Sequence, residues 1–151
     1  MQRNLYILVD MSLSVGFDIN KENLINKINK YIDVHKDRHT SIYFFNHEIY
    51  DIKVNPISIK EKDFDYRGRT ALWDTLNYVL NHAKWDIFPI FVIFTDGCDT
   101  ASTLYTKDEI IERIVYKRML GWTFVFPYRD FDCYYIKDGY FPSYCMGGSI
   151  S

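Results

Sequence analysis

No run of Lys and Arg stands out in this chain: 18 basic and 20 acidic residues are interspersed and leave a formal net charge of −2. A surface without a basic block cannot displace many counterions from a phosphate backbone, so nucleic acid is not an expected partner. Long hydrophobic runs are lacking too. The longest, 87–94, is broken by Pro89 and falls far short of the ~20 apolar residues that a bilayer-spanning helix needs, so no membrane partner is expected. Cysteine is scarce: Cys98, Cys133 and Cys145 are odd in number and unevenly spaced. With no charged-then-apolar leader at the N-terminus, this usage predicts reduced thiols and a cytoplasmic location. There is no glycosylation acceptor, no internal repeat, no Walker-type glycine loop and no dinucleotide fingerprint. His35, His39, His47 and His82 share no helical face with a carboxylate, which argues against zinc.

What is present is alternation. With 151 residues, 48% of them hydrophobic, the chain matches one domain spanning 1–151, large enough to bury roughly two thirds of its unfolded surface. Leu5 to Val9 reads as a buried strand, and Leu24, Ile25, Ile28, Tyr31 and Ile32 recur at helical spacing from a start near Asp18 or Asn20. Ser41 to Phe45 and Glu48 to Val54 flank Asn46-His47 as a hairpin, whose second arm belongs at a sheet edge. Leu72, Leu76, Val79, Leu80 and Ala83 predict a second helix, and "FPIFVIFT" (88–95), apolar on both faces, predicts a central parallel strand. Thr106-Lys107-Asp108-Glu109 has capping-box spacing ahead of Ile110, Ile111, Ile114 and Val115, Gly121 closes that helix, and "WTFVF" is one more strand. Trp73, Trp85 and Trp122 lie in or beside these apolar patterns and read as core. The order predicts an α/β fold: a three-layer, doubly wound, mostly parallel sheet with one antiparallel edge strand and helices on both faces.

In such a sheet the loops leaving the carboxyl ends of the strands form the ligand crevice. Asp10, Ser12 and Ser14 leave the first strand there, Asp96 leaves the central strand in "FTDGCDT", and Thr70 opens a helix in "RGRTALWDTL" facing the same rim. These donors are all oxygen, and carboxylates are few. Such a set suits Mg²⁺ or Mn²⁺, which retain waters or accept an outside ligand in the remaining octahedral positions.

Together, Asp10-x-Ser12-x-Ser14, Thr70 and Asp96-Gly97 resemble the three loop motifs of a von Willebrand factor type A domain with a metal-ion-dependent adhesion site (MIDAS). The stretch from "TDGCDTASTLYTKDEIIERI" to "GWTFVF" is similar to small stand-alone bacterial and phage versions, and the resemblance covers residues 3–127. It implies that Ser12, Ser14 and Thr70 bind the ion directly, while Asp10 and Asp96 reach it mainly through waters. Neutral ligands leave the ion electrophilic, so an Asp or Glu from a partner protein can complete its shell. Thr70, Asp99, Tyr134 and Tyr135 are candidates for touching that partner. A binding role without catalysis is expected. The alternative is a Mg²⁺-dependent phosphohydrolase using Asp10 as nucleophile, against which position 12 is Ser where dehalogenase-like enzymes usually carry Asp. The aromatic tail, 128–151, departs from the family pattern: either a hairpin turning at Asp138-Gly139 replaces the final layer, or the domain completes itself against another subunit.

Overall fold

The computed structural model describes residues 4–13, 15, 20–95, 99–127 and 134–135. Strands β1 (Leu5–Asp10), β2 (Thr40–Phe45), β3 (Ile49–Val54), β4 (Ile90–Phe94), β5 (Thr123–Phe126) and β6 (Tyr134–Tyr135) form one sheet in the order β3-β2-β1-β4-β5-β6. β1 runs parallel to both β2 and β4, β4 runs parallel to β5, and β3 adds antiparallel at one edge as the hairpin pattern predicted. The two-residue β6 adds a second antiparallel strand at the opposite edge, pairing Phe126 with Tyr134. Asp138-Gly139 and the rest of the tail lie outside the described residues.

Helix α1 (Lys21–Val34) covers one face of the sheet, and α2 (Leu72–His82) and α3 (Lys107–Met119) cover the other. Alternation along β1 assigns its side chains: Leu5, Ile7 and Val9 pack with Leu24, Ile28 and Ile32 of α1, whereas Tyr6 and Leu8 join the cluster of α2 and α3. Each of the buried α1 residues contributes on the order of 1.5–3 kcal/mol of apolar burial. On the other face Phe91 stacks against Tyr6, Phe124 and Trp122, with ring centroids 5.0, 5.0 and 5.7 Å away.

Local sequence sets the helix ends. Asn20 caps α1 by accepting the Asn23 amide, and Thr106 and Glu109 form the predicted capping box at the start of α3. At the other end of α3, Gly121 takes φ +98°, and its amide donates to the Arg118 carbonyl.

Two expectations need correcting. Trp73 and Trp122 are buried, but Trp85 is 85% exposed, because α2 ends at the C-cap Ala83 and Trp85 falls in the turn beyond it. The central strand starts at Ile90 rather than at Phe88, whose φ of +51° is incompatible with extended pairing.

Candidate metal-binding rim

The strand order places the topological switch between β1 and β4, since α1 leads from β1 to β2 on one side while β4 joins β1 on the other. Asp10, the last residue of β1, is fully buried at this point. Oδ1 of its carboxylate accepts the Ser12 amide at 2.9 Å, and Oδ2 accepts the Thr95 hydroxyl at 2.7 Å, directly after β4. A buried carboxylate needs such donors to offset its lost hydration. Ser12 is 1% exposed and Thr70 2% exposed, so the hydroxyl-bearing residues are enclosed with it.

Backbone hydrogen bonds draw the loops together. Arg67 N–H donates to the Met11 carbonyl at 2.9 Å and Leu13 N–H to the Gly68 carbonyl at 3.2 Å, zipping the loop after β1 to the segment before α2. Met11 N–H reaches the Phe45 carbonyl and Ala71 N–H the Asn46 carbonyl, which ties the β2–β3 turn, through its buried Asn46, to the same assembly. Gly68 takes φ +71°, and a Cβ built there would stand 3.2 Å from His47 Nδ1, so a side chain at this position would be both strained and crowded.

Thr70 is held from the third side. Its amide donates to Thr100 Oγ1 at 3.0 Å, and its carbonyl accepts the amides of Thr100 and Ala101, each at 2.9 Å. Further along, Asp99 accepts the amides of Trp73 and Ser102 and the Ser102 hydroxyl, while Ser102 Oγ accepts the Asp74 amide. Asp74 answers by accepting the amides of Thr103, Leu104 and Tyr105. The first turn of α2 and the loop after β4 are thus reciprocal caps, each satisfying the other's orphan amides.

Of the predicted site residues, Asp10, Ser12 and Thr70 lie on loops joined in this one rim; Ser14 and Asp96 lie outside the described residues. Asp99 is half-buried with both oxygens engaged inside the chain. Tyr134 and Tyr135 form β6, three strands from β1, or about 14 Å at ~4.8 Å per strand. Sequence reasoning missed Thr95, Asn46 and Asp74. The only signal for Thr95 was a hydroxyl residue immediately before Asp96.

The donor set fits a hard divalent cation. Among the described residues no group of three or more His, Cys, Asp or Glu could hold an ion, and the oxygen donors that the rim gathers there are the Asp10 carboxylate and the Ser12 and Thr70 hydroxyls. Among the described residues the buried Tyr66 hydroxyl has no hydrogen-bond partner, and burial, followed by the Asp10 carboxylate, pushes its pKa up to about 12.

No protein-family model matches the sequence, and no curated protein matches it. Solved structures do. Over 82% of its length the chain is similar to 65% of the BatB protein of Bacteroides thetaiotaomicron, with a TM-score of 0.56 and 15% identity. Over 85% of its length it is similar to 38% of proximal thread matrix protein 1 of the mussel byssus, with a TM-score of 0.55 and 19% identity; the MIDAS motif of that protein is occupied by zinc. The chain therefore spans less than two thirds of either protein. At these identities the likeness establishes the fold, which is von Willebrand factor A-like.

Proposed function

We propose that this chain is a metal-dependent protein-binding module. The observation that carries the reading is the joining of the Asp10–Ser12 loop to the Thr70 loop, at the switch point of a fold shared with a MIDAS-carrying protein. Ser12, Ser14 and Thr70 would hold Mg²⁺ or Mn²⁺ directly, with Asp10 and Asp96 acting mainly through waters. When bound, the ion supplies an electrophilic position for an Asp or Glu carboxylate of the partner protein. The chain's own residues do the rest. Thr95 and the Ser12 amide orient Asp10, while Thr100 and Ala101 fix the backbone on either side of the Thr70 hydroxyl. The engagement of both Asp10 oxygens in internal hydrogen bonds favours a positioning role over attack on a phosphoryl group.

Calorimetric titration with Mg²⁺ and Mn²⁺ tests the proposal. Wild type should give heat and a rise in melting temperature, and Thr70→Ala should lose most of the heat while keeping its circular dichroism spectrum. A wild type that gives neither signal with either ion would overturn it.

A further inference from the structure

At the amino ends of β4 and β5, on the side of the sheet opposite the rim, large apolar side chains are left in solvent. Trp85, Ile87 and Phe88 expose 85%, 51% and 51% of their surface, and Met119 and Leu120 expose 79% and 47%. They belong to two segments that are joined: Thr123 N–H donates to the Pro89 carbonyl at 3.1 Å, and the Phe88 ring lies over Gly121, 2.7 Å from where a Cβ would stand. Phe88 sits there at φ +51°, a conformation that a bulky residue adopts only when its surroundings impose it. Packing that imposes strain on Phe88 while leaving half of the residue wet is not explained by core formation.

The fringe of this patch is cationic. The Lys84 ammonium lies 5.5 Å from the Trp85 ring centroid, the Lys117 ammonium lies 4.6 Å from that of Trp122, and Arg118 is half-buried beside Met119. Asp86, the acid within the segment, is half-buried and accepts the Tyr6 hydroxyl. A second copy docked patch to patch by two-fold symmetry would bring one cationic fringe up to another, which disfavours self-association. An apolar centre with an amphipathic Trp and a lysine and arginine fringe matches an anionic lipid surface, where rings enter the interface and ammonium groups meet head groups.

We propose that the patch of Trp85, Ile87, Phe88, Met119 and Leu120 docks this domain onto anionic membrane surfaces, lying on the bilayer without spanning it. Among the described residues no helix is long and apolar enough to cross a membrane, so the contact is peripheral. The rim then faces away from the lipid, and the inference does not depend on it.

Co-sedimentation with vesicles of phosphatidylcholine and phosphatidylserine, in chelator, tests this against vesicles of phosphatidylcholine alone. The expected result is capture by the anionic vesicles with a blue shift of tryptophan emission, because Trp73 and Trp122 are already buried and Trp85 is free to respond. Trp85→Ser and Lys84→Glu, both on exposed side chains, should each lower capture by at least about tenfold with unchanged circular dichroism. Absence of capture by anionic vesicles, equal capture by the wild type and both variants, or capture only in Mg²⁺ would overturn the proposal. Binding of polyglutamate in place of vesicles would assign the patch to an acidic protein and overturn it equally.

Discussion

The Thr95 hydroxyl donates to Asp10 Oδ2 at 2.7 Å across 85 positions of sequence, joining the carboxyl ends of β4 and β1 through two buried side chains. Thr95→Val keeps the shape and removes this donor to the buried carboxylate. The expected cost is about 1–3 kcal/mol in urea unfolding, with weakened Mg²⁺ binding in the same variant. Unchanged stability would mean that water replaces the hydroxyl.

Asp74 holds the amides of Thr103, Leu104 and Tyr105. Asp74→Ala frees that segment from α2 and should destabilise by about 1–2 kcal/mol. Faster amide exchange at 103–105, with exchange in β1 unchanged, would show that the loss is local.

Phe91 is fully buried among Tyr6, Phe124 and Trp122. Phe91→Ala opens a cavity in the centre of that face and should cost about 3–5 kcal/mol. The denaturant midpoint reads the loss, and a shift equivalent to under about 1 kcal/mol would contradict the packing described for this face.

Gly121→Ala meets two penalties at once, a left-handed φ and a Cβ 2.7 Å from the Phe88 ring. A loss of about 1–3 kcal/mol is expected in thermal unfolding. The double variant Gly121→Ala with Phe88→Ala should recover the steric part and keep the backbone part.

Tyr50 and Tyr66 are both held protonated by burial, each pushed from 10.0 up to about 12. An unfolded tyrosine releases its proton near pH 10 while the folded one keeps it, so the folded state binds more protons in this window. Stability is therefore fully present below about pH 10 and falls as pH rises toward about 12. Tyr66→Phe should lessen that alkaline loss and cost little at pH 8, since its hydroxyl has no hydrogen-bond partner among the described residues. Melting temperatures at pH 8 and in the alkaline window decide it.

Several features of this fold are local enough to be legible in the chain. The runs of β1 and β4 are apolar on both faces because both faces are covered, and each stops abruptly at polar residues on the crevice side. The Thr106–Glu109 capping box and the burial of Leu24, Ile28 and Ile32 depend on spacings of three and four, which the helix itself dictates. Trp85 escaped because hydrophobicity alone does not say whether the helix still continues beneath it. Asp74 and Asp99 escaped for a related reason: a carboxylate near a helix start reads equally as a surface charge, a rim ligand or a cap until its partner amides are known.

By itself, then, the sequence determined the layered α/β class, the helix caps and the presence of oxygen donors at strand ends, because periodicity and capping act over a few residues. Only the tertiary structure decided that Asp10 shares its carboxylate with Thr95 and that the Thr70 backbone is clamped by Thr100 and Ala101. It also turned Asp99 inward and left Trp85 in solvent. These outcomes rest on contacts between segments tens of residues apart, whose geometry is set by how the strands order themselves in the sheet rather than by any local preference.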